Sequence, residues 1–258
     1  MPATLGIDDL GGGVRQLTLA HPERRNALDD GLLEALAAAV ADGAGVRAWL
    51  VRGAGEGIFS SGYDLSNLSP VAPGAPLPDE RIGEVFDALV KHPAPSVALV
   101  TGPAFGAGCE LALACDFRVG DAHAVFCMPP ARLGVVYALK GMARLVDRIG
   151  VGRARFMFLT GRRCGADEAL RMGLLDVLEP TAAEARDDAV ALCRELAQAA
   201  PLAVAGMRRG FALLAKGGGS ADERAEYDAL RRASFNSDDA VEGRAAILDK
   251  RAPRFEGR

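Results

Sequence analysis

The chain has 258 residues, half of them apolar and a quarter charged, with a formal net charge of −4. Such a composition excludes a largely disordered chain and supports a sizeable core, in one large domain or one domain with a helical appendage. No Lys/Arg block runs longer than two or three residues, which argues against a nucleic-acid partner, whose phosphates need clustered cations.

In chain order, Gly11–Gly13 suits a hairpin turn ahead of the alternating strand Val14–Leu19. Asp30 is placed to cap a helix with Leu33, Leu36 and Val40 on one face. Trp49–Val51 reads as a short buried strand, closed by Gly53–Gly57. Ser66–Pro78, rich in Pro, Gly and Ser, reads as a surface loop. Arg81–Lys91 carries Ile82, Val85, Phe86 and Leu89 at helical spacing. Ser96–Val100 and Asp116–Val119 follow as strands. This alternation implies crossover connections and a largely parallel sheet in an α/β fold. The remainder turns helical: Thr181 with Glu184 and Ser220 with Glu223 are capping-box pairs. Gly217–Gly219 is a joint, and Ser237 caps a last helix with Val241, Ala245 and Leu248 on its inner face.

Three glycine-rich stretches carry the chemistry or its decoys. Gly53–Gly57 follows a strand, but the residues after it do not open the helix a dinucleotide site requires, so it reads as a turn. Phe59–Leu65 (FSSGYDL) lacks the G-x-S-x-G nucleophile elbow. Its Gly62 either supplies a positive φ for a turn or lets the backbone approach a ligand closely. Gly102–Asp116 leads into a helix that is apolar on every side except for Glu110. The first amides of such a buried helix have no intrahelical partner and form a site for an anion or a developing oxyanion. Glu110 either complements the helix dipole or works chemically, and its otherwise apolar setting favours work. Cys109, Cys115, Cys127, Cys164 and Cys193 form no CxxC pair, and His21, His92 and His123 complete no zinc pattern. The cysteines read as buried reduced thiols, hence a cytoplasmic location. The N-terminus lacks the apolar region of a signal peptide, and no apolar run reaches the ~20 residues of a membrane span.

Four segments in register resemble the crotonase (enoyl-CoA hydratase/isomerase) superfamily: Asn26–Leu28 (NAL), Phe59–Leu65, Val100–Val119 (VTGPAFGAGCELALACDFRV) and the final DKRAPRF. The resemblance covers nearly the whole chain. It implies a crotonase-like (ClpP/crotonase) α/β fold, with a core of repeated β-β-α units over residues 1–195 and a helical trimerisation region over 196–258. It also implies a homotrimer or dimer of trimers, an acyl-CoA substrate, and no cofactor beyond the CoA moiety, with no metal, membrane or nucleic-acid partner.

By motif position, the family's two oxyanion-hole amides fall on Tyr63 and Ala107, and its first catalytic glutamate on Glu110. Two such donors stabilise a thioester enolate as it forms. The second glutamate of hydratases, in a motif like F-x-x-P-E, falls on Pro130, which transfers no proton. The segment Leu133–Tyr137 (LGVVY) resembles that of methylmalonyl-CoA decarboxylases, where a tyrosine lies near the acyl carboxylate. Tyr137 matches that tyrosine, or is a core residue with a satisfied hydroxyl. The histidine of that enzyme's FSAGHD loop corresponds to Tyr63. The implied CoA-binding set is Arg24, Arg25, Ala27, Ser61, Gly62, Tyr63, Asp64, Leu65, Gly106 and Lys250, with arginine forks for the phosphates. Lys250 and Arg251 equally suit a solvated helix end. Three functions stay open: a hydratase or isomerase, a malonyl-type acyl-CoA decarboxylase, and a non-catalytic acyl-CoA-binding protein.

Overall fold

Alternation of buried apolar residues along short strands, with helices between them, generates a two-sheet architecture. The computed structural model describes residues 3–55, 57–67, 71–75 and 77–258. In chain order come β1 (Thr4–Asp9), β2 (Val14–Ala20), α1 (Asp30–Ala41), β3 (Ala48–Gly53), α2 (Pro78–Lys91), β4 (Ser96–Val100), β5 (Pro103–Phe105) and α3 (Ala107–Ala114). Then follow β6 (Phe117–Asp121), β7 (Val125–Cys127), α4 (Pro130–Leu133), α5 (Leu139–Thr160), β8 (Cys164–Gly165), α6 (Ala166–Met172) and β9 (Val177–Glu179). Four helices complete the chain: α7 (Ala182–Gln198), α8 (Pro201–Ala215), α9 (Ala221–Phe235) and α10 (Asp238–Leu248).

The larger sheet has the order β1-β2-β3-β4-β6-β9. Only the β1–β2 hairpin, turned by the three glycines 11–13, is antiparallel. The smaller sheet is β5-β7-β8. Period-two alternation splits the large sheet between two cores. Leu50, Val97, Leu99 and Val119 face α7 through Ala185, Ala189 and Cys193. Trp49, Val51, Ala98 and Val100 share the main core with Leu33 and Leu36 of α1, Phe86 and Leu89 of α2, and Leu111 of α3.

The expected elements are present, with five differences. Thr181 caps α7 but closes no capping box, because Glu184 accepts from the Thr181 hydroxyl rather than from its amide. Asp29 rather than Asp30 caps α1: its backbone is extended and its Oδ1 accepts from Leu32 N at 2.8 Å. α2 starts at Pro78, so Pro78 belongs to the helix, where its fixed φ suits the first turn; residues 68–70 and 76 of the expected loop lie outside the described residues. The boundary at 195/196 falls inside α7, which runs unbroken to Gln198 and buries Ala197 against the sheet. Val241 and Leu248 are exposed rather than inward, at 58% and 82%. The C-terminal tail folds back over the other face of α10, where buried Asp239 accepts from Glu256 N and Gly257 N and Gly243 meets Phe255. Arg47 ties that tail to the core through the carbonyls of Ala197, Ala199 and Phe255.

Candidate active site

Two loops meet to form the site. The first is clasped by Asn26, fully buried and left-handed at φ 54°, a conformation that asparagine tolerates. Its side chain accepts from His21 N and donates to the carbonyls of Ala54 and Ile58. Ser60 Oγ donates to Asn26 O at 2.7 Å, Leu28 N to Gly62 O at 2.8 Å, and Asp64 N to Leu28 O at 2.9 Å. The NAL segment therefore fixes the course of FSSGYDL. The amides of Ser61 and Gly62, expected to frame the ligand, are consumed by Arg25 O and Ser60 Oγ. Tyr63 N, beside them, has no hydrogen-bond acceptor among the described residues.

The second loop is β5 and the start of α3. Phe105 N donates to Ser60 O, and Gly106 N to Cys127 O. Gly106 adopts φ 52° and ψ −119°, and α3 opens at Ala107. Ala107 N likewise has no acceptor among the described residues, as expected of a first-turn amide. Glycines let the loops touch. A Cβ on Gly62 would stand 2.6 Å from Phe105 O and 3.5 Å from Ala107 N, and one on Gly108 would stand 2.7 Å from Ser60 Cβ. Gly62 also has φ +98°, so it is both a positive-φ turn residue and a point of close approach. The close approach is to protein backbone.

Glu110, one turn into α3, is 2% exposed. Its Oε1 forms an ion pair with Arg144 of α5, and its Oε2 accepts from the Tyr137 hydroxyl at 2.6 Å. Burial raises the Glu110 carboxyl above its ordinary range, against the pull of Arg144 and the Tyr137 hydrogen bond. Burial, reinforced by the Glu110 charge, holds the Tyr137 phenol well above its usual range, so it stays protonated. The Tyr137 ring packs on Phe158 at 5.6 Å. Tyr137 is thus a packed residue with a satisfied hydroxyl, and that hydroxyl is satisfied by the site carboxylate. Beside it, Val136 and Leu139 are largely exposed, at 93% and 83%. Pro130 is buried at the first turn of α4, so no carboxylate stands at that position.

Arg144 and its brace, Asp87 of α2, were not singled out from sequence. The available signals were the i, i+4 stripe Lys140-Arg144-Arg148 and the need of any buried carboxylate for a cation. The remaining expected residues are spread more widely. Arg24, half-exposed, is held by Asp64 at 2.6 and 2.8 Å and by Ser66 Oγ at 2.7 Å. The Ser66 hydrogen bonds, then Arg24, keep the Asp64 carboxyl below its usual range. Arg25 and Leu65 are exposed at the rim, and Ala27 is buried beneath it. Lys250 lies past α10, and no hydrogen bond or ion pair among the described residues joins it to these loops. Arg251 is taken by Glu242 at 2.6 and 2.8 Å. His92 accepts from Trp49 Nε1 at 3.1 Å and caps α2, a structural role. Among the described residues no group of three or more His, Cys, Asp or Glu side chains could hold a metal ion.

The chain is similar to known proteins over nearly its whole length. The enoyl-CoA hydratase/isomerase family matches residues 9–258. The protein named "Probable enoyl-CoA hydratase echA6" of Mycobacterium tuberculosis is 35% identical, covering 95% of this chain and 96% of its own length. The carnitinyl-CoA dehydratase of Salmonella arizonae is 37% identical over the same shares. The solved structure of an enoyl-CoA hydratase from Bacillus anthracis superposes with a TM-score of 0.87 at 27% identity, covering 98% of this chain and 99% of that one. The chain belongs to the enoyl-CoA hydratase/isomerase family, enzymes of acyl-CoA thioesters, and has their crotonase-like α/β fold.

Proposed function

We propose that this protein binds an acyl-CoA with its thioester oxygen between Tyr63 N–H and Ala107 N–H, and that Glu110, backed by Tyr137, handles the proton at the α-carbon. The observation that carries this reading is the meeting of the two loops at Gly62, beside two amides without acceptors among the described residues. Negative charge grows on the thioester oxygen as an α-substituent leaves. Preorganised amides stabilise that charge more than they stabilise the ground-state carbonyl, which lowers the barrier. In an enoyl thioester the Glu110 carboxylate takes the α-proton as that charge forms, the C–H electron pair passes into the dienolate, and return of the proton at the γ-carbon shifts the double bond and completes an isomerisation. Hydration by a pair of carboxylates finds no second carboxylate at buried Pro130.

Pro130 favours a second reading, loss of carbon dioxide from a malonyl-type acyl-CoA, which needs the enolate site but no second base. Against it stands charge: Glu110, Asp79 and Asp87 face Arg144, Lys140 and Lys91, so no cation of this cluster is left over to receive an acyl carboxylate. The CoA phosphates would lie along Arg24 and Arg25, and Lys250 would come from a neighbouring subunit of a homotrimer or dimer of trimers. The buried free cysteines support a cytoplasmic location. Nothing beyond the CoA thioester is required as a cofactor.

The test is turnover on an acyl-CoA panel of saturated, enoyl and malonyl-type thioesters, with α-proton exchange and carbon dioxide both followed. α-Proton exchange on neutral thioesters is expected, and Glu110→Gln should lower it ~100-fold or more at nearly unchanged CoA affinity. Carbon dioxide release from the malonyl type alone would favour the second reading. CoA binding with no exchange on any member would favour a binding protein.

A further inference from the structure

Glu110 is a carboxyl group in an apolar helix, and it is held by a chain of side chains from two other helices and a loop. The Arg144 guanidinium, 11% exposed, gives one nitrogen to Glu110 Oε1. Its other terminal nitrogen is braced on α2, by Asp87 Oδ1 and by Gly83 O at 3.3 Å. Lys140 neutralises the far oxygen of Asp87 at 2.7 Å. The opposite oxygen of Glu110 meets Tyr137, and Gly141 makes the room: a Cβ there would stand 2.7 Å from Glu110 Oε2. A lysine ammonium could reach one of these acceptors, whereas the planar fork serves α2 and α3 together.

We propose that Arg144 is the positioning residue of the site: braced by Asp87, it holds Glu110 as an oriented carboxylate whose second oxygen is shared with Tyr137 and turned to the reacting atoms. The groups facing Glu110 are Asp79 and Asp87 from α2, Lys140 and Arg144 from α5, Tyr137 from the loop before α5, and Cys109 on α3. Arg144 is the cation in direct contact. Burial and Asp79 both push the Glu110 carboxyl upward, and Arg144 is the largest opposing influence. Without it, Glu110 takes up a proton at higher pH and stops accepting one. In its activity arm this inference rests on the proposed acyl-CoA chemistry; its titration arm does not.

The experiment compares the wild type with Arg144→Gln and Arg144→Lys. Glu110 is titrated by carbon NMR of labelled glutamate side chains, with Glu110→Gln for assignment, and kcat/KM is measured across pH on a substrate found in the panel. In Arg144→Gln the Glu110 titration should move up by about one pH unit or more. The acidic limb of kcat/KM should move with it, activity at neutral pH should fall ~10-fold or more, and added guanidinium should restore part of it. Arg144→Lys keeps a cation without the fork, so it should lose kcat with a smaller shift of the limb; it also serves if the glutamine variant does not fold. An unshifted Glu110 titration in a folded variant, or a loss uniform across pH and indifferent to guanidinium, would overturn the assignment. If the wild type turned over no acyl-CoA, the functional reading would fail while the titration still decided the role of Arg144.

Discussion

At the scale of the residue, Gly62 carries more of the account than any side chain. Its φ of +98° disfavours any L side chain, and a Cβ would press on Phe105 O. Gly62→Ala should therefore cost roughly 1–3 kcal/mol of stability and displace the adjacent Tyr63 amide. Denaturant unfolding and α-proton exchange measured on the same variant should show a modest loss of stability with a drop in kcat of ~10-fold or more. A wild-type rate would mean the Tyr63 amide is not used. The Tyr63 side chain turns away from this amide, donating to Asp30 at 3.0 Å, and burial with that carboxylate pushes its phenol up to about 12. From sequence, Gly62 could be read as a turn or as a close approach and not as both, because Phe105 is distant along the chain. Glu110 was legible as a lone acid in an apolar helix. Its cation was not, since Arg144 looks like any solvated arginine until α5 is packed on α3.

At the scale of the element, α2 links the site to the sheet. Its C-terminal cap, His92, accepts at Nδ1 from both Trp49 Nε1 and Ala94 N. Burial lowers the His92 pKa, so the folded state favours the neutral ring. The sign follows from linkage: the unfolded chain binds the proton first, near pH ~6.5, so this stabilisation is present above that value and is lost as pH falls below it. Trp49 is the chain's one tryptophan, and its fluorescence reads the unfolding. The stability difference between wild type and His92→Gln should shrink from pH 8 to below ~6; a difference constant across pH would contradict the assignment. Helix starts were legible where the signal is local, as at Thr181, Ser220 and Ser237, each of which accepts from the amide three residues on. The inner face of α10 was not, because a tail returning from beyond the helix decides which side is covered.

At the scale of the whole molecule, the helices after α7 are under-buried. Among the described residues α9 buries no side chain and α8 buries only Leu213. Phe211 and Phe235 stand 70% and 72% exposed, and Ile247 and Leu248 79% and 82%. Apolar surface of this extent marks an interaction face, and a second copy of the same chain fits the expected trimer. Sedimentation at micromolar concentration should give three or six times the chain mass of 26.9 kDa, and Phe211→Glu should lower it; a wild-type monomer would contradict this. The parallel α/β plan was legible from strand-helix alternation, while the division into a six-stranded and a three-stranded sheet was not, since strands as short as β5, β7 and β8 carry no period of their own. The central claim concerns one atom, and a crystal structure with acetyl-CoA bound tests it most directly. The thioester oxygen is expected within ~3.1 Å of both Tyr63 N and Ala107 N. An oxygen bound elsewhere, or either amide closed off by a protein carbonyl, would contradict the account.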